Sequence, residues 1–478
     1  MLSVSESAAS DRASLLASLA AAVGERQIVS GDNLGRYNND WTGDHRGLAL
    51  AVVRARGIED VAATIRWCHT HGVPLVPQGG HTGLVAGGTP TASGNEVVLS
   101  LELMNKVREI DPVNGVAIVE AGCVLADLKE AVDKAGAYFP LSIGSQGSCQ
   151  IGGAISTNAG GINVVRYGMT RALVMGLEVV LPDGQVYRDL RGLHKNNTGY
   201  DLKQMFIGAE GTLGVVTAAA VKIVPKPTQV ETLFLATSST PAVIELFRRI
   251  RTDSGDLISG FELMGAPSIE LVCATEPNIR NPLSAIYPAY AIVELSASGG
   301  PAIKPWLDTY LATLMEEGLV LDGVIAQNQA QVAEIWALRE GIVESQARFG
   351  AYLRTDISTA ISAVARFIER GTEAVEALVP GARCLPYGHV GDGNLHFNVI
   401  RPMNMTPEEF APLIHKIEDE LFTIVDEFGG SISAEHGIGL AKRHAFEARL
   451  EDVPRRLMQT LKQTLDPRNI MNPGRILS

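Results

Sequence analysis

Two long glycine-rich segments, residues 77–84 and 144–153, interrupt a regular alternation of apolar runs and helical periods in the first half of the chain. Glycine lets backbone amides approach an anion without a Cβ in the way, and successive amides in one concavity can bind a pyrophosphate. None of the 49 glycines forms GxGxxG, and no Gly-Lys dipeptide completes a P-loop. The pair of segments therefore predicts a dinucleotide site outside the Rossmann and P-loop folds, although either segment alone also fits a surface connection.

The order of elements predicts two packed domains of mixed α and β structure. A chain of 478 residues with 46% hydrophobic content is too long for one compact core and long enough for two. Up to Val224 short strands alternate with helices such as Ile58–His71, and Pro225 and Pro227 then mark a boundary. Beyond it the pattern becomes strand, long helix, strand, which favours an antiparallel sheet covered by helices. We expect an α+β fold.

Composition and charge exclude several classes of partner. The formal net charge of -13 repels phosphate backbones, so we expect no nucleic-acid partner. No apolar run reaches the ~20 residues that a membrane span requires, so we expect no membrane span. The five cysteines are scattered and never form CxxC, which indicates a reducing compartment, and we expect the cytoplasm. The oligomeric state is left open between a monomer and a homodimer.

A second group of residues, near the C-terminus, has the spacing of a metal site. If residues 391–394 form a four-residue hairpin loop, His389 faces His396 across the ladder with Cβ atoms about 5 Å apart. The period of two puts Asn398 on the same face, and Glu435 is a candidate third ligand. Two nitrogens and one oxygen suit a catalytic zinc, and manganese or iron would also accept them. Spacing alone, however, favours packed polar residues over a metal site.

Four segments resemble, in order, the FAD-contacting segments of the vanillyl-alcohol oxidase/PCMH flavoprotein family. They are Pro77-Gln78-Gly79-Gly80-His81-Thr82-Gly83-Leu84, Ile151-Gly152-Gly153-Ala154-Ile155-Ser156-Thr157-Asn158-Ala159-Gly160-Gly161, Gly208-Ala209-Glu210-Gly211-Thr212-Leu213-Gly214 and Asn472-Pro473-Gly474. Two more segments resemble its D-2-hydroxyglutarate and D-lactate dehydrogenase branch (FAD-binding oxidoreductase/transferase type 4). They are Gly388-His389-Val390-Gly391-Asp392-Gly393-Asn394-Leu395-His396 and Ser433-Ala434-Glu435-His436-Gly437.

The resemblance, which runs from about Asn39 to the C-terminus, implies three parts. Residues 1–227 form a PCMH-type FAD-binding domain of two subdomains, 228–435 a cap domain with the substrate and metal site, and 436–478 a segment that returns to the FAD domain. FAD is expected to be non-covalent, although His81 stands where some relatives carry a histidine bonded to flavin. The residues implied at the FAD are Pro77, Gln78, Gly79, Gly80, His81, Thr82, Gly83, Leu84, Ser142, Gly144, Gly147, Ser148, Gly152, Gly153, Ser156, Thr157, Asn158, Gly160, Gly161, Glu210, Gly211, Leu213, Gly214, Val215 and Asn472.

The same resemblance implies the roles of residues at the second site. His389, His396 and Glu435 align with metal ligands, expected to hold zinc, with manganese or iron as alternatives. His436 aligns with the general base of the family. The chemistry suits this role, because a metal-bound α-hydroxyl becomes more acidic and an imidazole can accept its proton. A structural role for His436, capping the following turn, stays open. The residues implied in substrate binding are Arg339, Val343, Arg354, Asn398 and His436.

Two of the substrate positions depart from the family pattern. Val343 replaces a hydroxyl residue and Arg354 replaces a lysine. Arginine can bind a carboxylate through two hydrogen bonds, but valine offers none, so the identity of the acid is left open.

The activity implied by the resemblance is oxidation of a small D-2-hydroxy acid, with hydride passing to flavin N5. D-2-hydroxyglutarate, giving 2-oxoglutarate, comes first, and D-lactate, D-malate and glycolate follow. The electron acceptor would be electron-transferring flavoprotein or a quinone, with oxygen also open. Three other functions stay open: a flavin transferase like the ether-lipid synthases, a zinc hydrolase, and a flavin-binding protein without catalysis.

Overall fold

The structure is a computed structural model that describes the backbone of residues 4–478 and the side chains of 12–31 and 33–478. Its α-helices are α1 Val4–Val23, α2 Gly35–Asn38, α3 Ile58–His71, α4 Leu125–Lys134, α5 Ile151–Thr157, α6 Val164–Tyr167, α7 Thr170–Leu173, α8 Thr240–Asp253, α9 Ala266–Thr275, α10 Ile303–Glu316, α11 Gln329–Ala347, α12 Val364–Leu378, α13 Pro407–Glu427, α14 Arg443–Arg449 and α15 Asp452–Leu465. Its strands are β1 Ile28–Val29, β2 Ala49–Arg54, β3 Leu75–Gln78, β4 Glu96–Ser100, β5 Val107–Asp111, β6 Val116–Glu120, β7 Ala137–Tyr138, β8 Val174–Val180, β9 Val186–Asp189, β10 Val215–Lys222, β11 Val224–Pro225, β12 Gln229–Thr237, β13 Ile258–Gly265, β14 Ala289–Ala297, β15 Asp322–Ile325, β16 Tyr352–Leu353, β17 Ile357–Ser358, β18 Arg383–Gly388 and β19 Asn394–Ile400.

The first sheet, in the order β1-β2-β4-β3, is built around a strand, helix, strand unit. β2, β4 and β3 run parallel, and β1 pairs antiparallel with β2 at the edge. Helix α3 connects β2 to β3 and ends at Gly72, whose φ of +65° lets its amide donate to Cys68 O. The bounds predicted for this helix are confirmed, because its apolar residues recur every three to four positions.

The second sheet, in the order β5-β6-β10-β8-β9, is antiparallel throughout. The dipeptide Asp183-Gly184, which is typical of hairpin turns, joins β8 to β9, and Gly184 takes a φ of +82° there. Apolar side chains of this sheet and of the first sheet pack into one continuous core with α3, α4 and α5. The two sheets therefore share one core, and we call this N-terminal part of the chain the FAD half, after the cofactor that the resemblance implies for it.

The cap contains an antiparallel sheet in the order β15-β12-β14-β13-β18-β19-β16, with β17 also paired to β19. One face packs on α8, α10, α12 and α13, and the other packs on α9 and α11. The predicted sheet covered by helices is confirmed. The α11 face adjoins the FAD half, because a Cβ added to Gly260 on β13 would lie 2.9 Å from Ile162 Cγ2.

The C-terminal segment runs back to the first sheet after α15. The amide of Leu75 on β3 donates to Ile470 O at 2.7 Å, and the amide of Asn472 donates to Leu75 O at 2.8 Å. Arg475 is buried and pairs with Glu96 at 3.3 Å. Within the described residues, each helix is too short or too polar to cross a membrane.

Candidate functional site

The two histidines predicted as ligands meet, although their hairpin differs from the prediction. His396 on β19 lies opposite Tyr387, not opposite His389, so the predicted register was wrong by two residues. The cause is tertiary: β18 ends at Gly388, and the amide of Gly391 donates to Phe261 O on β13 at 3.3 Å, which draws the loop away from the ladder. An even shift keeps His396 on its predicted face. The loop then brings the ring centroids of the two histidines to 5.9 Å.

Three side chains converge with the geometry of a metal site. Ligand-capable atoms of His389, His396 and Glu435 all lie within 4.8 Å of one another. Nδ1 of His389 bonds to a carboxylate oxygen of Glu262, and Nδ1 of His396 lies 3.3 Å from Thr355 O. Metal-binding histidines commonly have one ring nitrogen held in this way, which orients the other toward the cation. Here Nε2 of His389 lies 3.8 Å from Glu435 Oε1.

Glu262 and Arg339 set the charge around this cluster. Glu262 is fully buried on β13 and accepts a hydrogen bond from Arg339 Nε at 2.7 Å. Burial alone would lower the pKa of His389, but Glu262 and Glu435 outweigh it and raise that pKa to about 10. Burial and the charge of Arg339 lower the pKa of His396 to about 4. The two imidazoles therefore differ strongly in their affinity for a proton.

His436 lies beside the cluster because its backbone leaves the strand geometry. Asp356 Oδ2 accepts from the amides of Glu435 at 3.1 Å and His436 at 2.9 Å. Gly437 follows with a φ of +84°. This bend lets two consecutive side chains reach one site, whereas neighbours on a regular strand point apart. The His436 ring lies 6.0 Å from the His396 ring, and its Nδ1 is 3.4 Å from Asp356.

Arg339 and Asn398 both contact Tyr387, but only Arg339 keeps hydrogen-bonding capacity. The Arg339 guanidinium lies 4.6 Å from the centre of the Tyr387 ring. The Asn398 amide accepts from Thr355 N at 2.9 Å and donates to Gln346 Oε1 at 2.7 Å and to the Tyr387 hydroxyl at 3.0 Å. Asn398 is therefore bonded within the protein, and its predicted substrate contact stays a prediction.

Val343 and Arg354 are not brought to the cluster by any contact among the described residues. Val343 follows Arg339 by one turn of α11 and is 48% exposed. Arg354 pairs with Asp44, a residue of the FAD half, at 2.7 Å. Their predicted roles in substrate binding also stay predictions.

Sequence reasoning missed the two carboxylates that organise the site, Glu262 and Asp356. Both are buried, and Glu262 stands in an apolar strand between Phe261 and Leu263, whereas Asp356 follows Arg354 and Thr355 in a polar stretch. A single carboxylate on a fully buried strand is rarely found unless it is paired or functional. That signal could have identified Glu262, whereas no local signal marks Asp356.

The segments predicted at FAD lie in five places. The strand β3 includes Pro77 and Gln78, so the first glycine loop begins at Gly79, and α5 begins at Ile151, so the second loop is shorter than predicted. The remaining positions follow these elements in the chain. They are Gly79, Gly80, His81, Thr82, Gly83 and Leu84 after β3; Ser142, Gly144, Gly147 and Ser148 after β7; Gly152, Gly153, Ser156, Thr157, Asn158, Gly160 and Gly161 in and after α5; Glu210, Gly211, Leu213, Gly214 and Val215 up to β10; and Asn472 near the end.

These segments contact one another through their glycines. A Cβ on Gly80 would overlap the carbonyl of Ser148, and a Cβ on Gly161 would overlap the carbonyl of Ser142. Two segments are also joined by a hydrogen bond from Asn472 Nδ2 to Glu210 O at 2.7 Å. Segments that are far apart in sequence therefore form one continuous surface.

That surface has the properties of a cofactor site. Oε1 of Gln150 and Oδ1 of Asn472 are buried and have no hydrogen-bond partner among the described residues. Such orphaned acceptors fit a ligand that donates hydrogen bonds. Both ring nitrogens of His81 lie near protein oxygens, Nε2 at 2.9 Å from Thr89 Oγ1 and Nδ1 at 3.4 Å from Arg36 O.

The two candidate sites adjoin. A Cβ added to Gly160, in the segment after α5, would lie 3.0 Å from Glu435 Oε2. The cluster of the cap and the glycine surface therefore form one composite site between the two halves of the chain.

Two family matches divide the chain in the same way. Residues 49–189 match the FAD binding domain, and residues 226–476 match the C-terminal domain of FAD linked oxidases, which is more than half of the chain. The chain belongs to the FAD-linked oxidase family. This match confirms the resemblance inferred from the sequence, and the protein is an FAD-binding oxidoreductase.

Relatives with established names match nearly the whole length of this chain. The chain is 39% identical over 464 residues to D-2-hydroxyglutarate dehydrogenase, mitochondrial, of Bos taurus. The alignment spans 97% of this chain and 83% of the relative. The chain is also 37% identical over 451 residues to D-2-hydroxyglutarate dehydrogenase of Stutzerimonas stutzeri. That alignment spans 94% of this chain and 96% of the relative.

Solved structures of more distant proteins share the fold. An alkyldihydroxyacetonephosphate synthase aligns with a TM-score of 0.72 at 16% identity, and the alignment covers 96% of this chain and 84% of the synthase chain. A p-cresol methylhydroxylase with substrate bound aligns with a TM-score of 0.72 at 17% identity, covering 97% and 96%. The predicted PCMH-type α+β fold is confirmed.

Proposed function

We propose that this protein is a metal-assisted dehydrogenase that oxidises D-2-hydroxyglutarate to 2-oxoglutarate. The observation that carries the proposal is the position of His389, His396, Glu435 and His436 beside the FAD segment at Gly160. The names of two relatives above 35% identity support the choice of acid.

The residues present fit both groups that the reaction requires. The glycine surface with its two orphaned acceptors would hold FAD, non-covalently, and the FAD supplies the hydride acceptor. His389, His396 and Glu435 would hold a divalent cation, zinc first and manganese or iron as alternatives, and the cation makes an α-hydroxyl more acidic. Glu262 keeps the His389 ring oriented for this purpose.

His436 accepts the hydroxyl proton in this proposal. Its Nδ1 faces the Asp356 carboxylate at 3.4 Å, so Nε2 is the nitrogen left to take the proton. Burial would raise the pKa of Asp356, but His436 and Lys442 outweigh it and lower that pKa. Asp356 therefore stays ionised and stabilises the imidazolium as it forms.

Arg339 binds a carboxylate of the substrate. Only its Nε bonds to Glu262, and its two terminal nitrogens hold no hydrogen bond with the described residues. A guanidinium offers these nitrogens as a fork that matches a carboxylate. D-lactate, D-malate and glycolate remain alternative substrates, because Val343 offers no further hydrogen bond. The proposed acceptor is electron-transferring flavoprotein, with quinone second.

The setting of the enzyme is part of the proposal. All five cysteines are free, and four of them are buried, which supports a reducing compartment such as the cytoplasm. The protein is proposed to be a monomer or a homodimer. Light scattering during size-exclusion chromatography measures the molar mass and distinguishes the two. We keep residues 1–227, 228–435 and 436–478 as the proposed FAD domain, cap domain and returning segment.

Anaerobic bleaching of the visible flavin bands tests the activity. D-2-hydroxyglutarate, L-2-hydroxyglutarate, D-lactate, D-malate and glycolate are added in parallel, before chelation, after chelation, and after return of zinc, manganese or iron. We expect fast bleaching by D-2-hydroxyglutarate alone, loss on chelation and recovery with one of the metals. Equal bleaching after complete metal removal would contradict the metal's role, and yellow protein that no acid bleaches would contradict the activity.

A further inference from the structure

Glu210 lies in a segment that resembles a FAD-binding segment, yet its side chain binds the loop that carries His436. Oε1 accepts from the amide of Ile438 at 2.7 Å, and Oε2 accepts from the amide of Gly439 at 2.8 Å. Among the described residues, no lysine or arginine comes within salt-bridge distance of this buried carboxylate. Both oxygens are therefore used by the backbone that follows His436.

The residues around this carboxylate are glycines. A Cβ on Gly437 would lie 2.9 Å from Glu210 Oε1, and a Cβ on Gly87 would lie 3.3 Å from Oε2. Gly439, which donates to Oε2, has a φ of +51° and would carry a Cβ that overlaps the carbonyl of Val85. The sequence thus leaves room for the carboxylate where the two segments meet.

The backbone of Glu210 is fixed in the FAD half. Its amide donates to Ser156 O at 2.8 Å, and its carbonyl accepts from Asn472 Nδ2 at 2.7 Å. A φ of +50° is uncommon for a residue with a side chain, and it is held here by these bonds. Any displacement of this residue is therefore resisted by two other FAD-binding segments.

Two carboxylates from different halves hold the same short loop. Asp356 of the cap binds the amides of Glu435 and His436, and Glu210 of the FAD half binds the amides of Ile438 and Gly439. Gly437 lies between the two pairs. His436 is thus fixed relative to the cap by one carboxylate and relative to the FAD half by the other.

We propose that Glu210 is a positioning residue that holds His436 at the correct distance from the FAD half. The inference rests on the proposed function, in which His436 is the base. Glu210→Gln keeps the side-chain volume but replaces one carboxylate oxygen by an NH₂ group, which would face a backbone N–H of Ile438 or Gly439. Two donors repel each other, so the loop should shift while every group proposed to contact the substrate remains. A misplacement of about 1 Å costs on the order of 10²-fold in rate when a reacting group is involved.

Two measurements on the purified holoenzyme test this inference. Hydrogen exchange followed by mass spectrometry reports the amides of residues 436–440, and stopped flow gives the rate of flavin reduction and its dependence on D-2-hydroxyglutarate. For Glu210→Gln we expect faster exchange in this loop, a rate about 10–100-fold lower and an unchanged half-saturating concentration. FAD and metal content should match the wild type. Glu210→Asp, which keeps the charge with a shorter reach, should lie between.

Glu178→Gln is the matched control, because Glu178 is a buried glutamate on β8 bonded to Arg108, Arg188 and Thr217. It should alter neither the loop's exchange nor the rate. Loss of FAD from Glu210→Gln with unchanged exchange would overturn the inference in favour of a FAD ligand. Faster exchange with a normal rate would also overturn it. Wild-type protein that no D-2-hydroxy acid reduces, with exchange still faster in Glu210→Gln, would refute the proposed function while supporting the loop contact.

Discussion

In the FAD half of the molecule the candidate site depends on glycine, whereas in the cap half it depends on buried side chains that carry charge or metal-binding nitrogens. Gly80 and Gly161 fit only because they have no Cβ. The cap supplies His389, His396, Glu435, Glu262, Arg339 and Asp356. The first region should therefore respond most to added atoms, and the second to atoms that are removed.

The largest effect is expected from the smallest addition, Gly80→Ala. Its Cβ would overlap the Ser148 carbonyl, so one of the two glycine loops must move away from the other. We expect purified protein without flavin colour and without activity, measured by the ratio of flavin to protein absorbance. Gly57→Ala, whose Cβ meets no described atom within 4 Å, is the control and should stay yellow. A full complement of flavin in Gly80→Ala would break the comparison.

The contrast between the regions also explains what the sequence could predict. Glycine loops have a local signature, and β3, α3 and the β8–β9 hairpin follow from patterns over fewer than 20 residues. The register of β18 and β19 was mispredicted because Gly391 bonds to Phe261, more than 100 residues earlier. The histidines still converged, since the error was an even number of residues.

The next effect compares His396→Ala with His436→Ala. Both should lower the rate of flavin reduction by about 10²–10⁴-fold. His436→Ala removes the base, whose loss typically costs that much, and His396→Ala removes the cation that makes the hydroxyl acidic enough for that base. Only His396→Ala should also lose metal, measured by elemental analysis, because His436 is not one of the three converging ligands. His415→Ala, on the exposed side of α13, should change neither property. A His436→Ala enzyme of normal rate would remove the proposed base.

A smaller effect is expected from Glu262→Gln. The amide would bond to His389 and Arg339 without the charge, and the loss of such a partner behind a metal ligand typically costs 10–100-fold in metal affinity or activity. Competition with a chelator measures the loss of metal affinity, and the rate of flavin reduction measures the loss of activity. Glu294→Gln is the control, since Glu294 is partly buried on the neighbouring strand but bonds Trp336 and Thr232. Equal losses in both variants would point to sheet stability instead.

Glu262 and Asp356 show why the cap site was only half predicted. Histidines and a glutamate in recognisable segments indicated the ligands, but the residues behind them come from β13 and from the chain before β17. Nothing in local spacing connects residue 262 with residue 389. Their partnership is created by strand order, which places β13 beside β18.

The smallest effect concerns Val343, one turn of α11 after Arg339, where Val343→Thr adds one hydroxyl with little change of shape. If a second carboxylate of the substrate passes this turn of α11, the new hydrogen bond is worth about 1.5 kcal/mol, the low end for a charged partner, because residue 343 is 48% exposed. We expect up to ~10-fold lower KM for D-2-hydroxyglutarate, unchanged kcat, and no gain for D-lactate, which lacks that carboxylate. Val332→Thr, earlier on the same helix, is the control and should change KM and kcat for neither substrate. Equal gains for both acids would place the hydroxyl at the carboxylate that they share, and Arg354, bound to Asp44, would then become the better candidate for the second one.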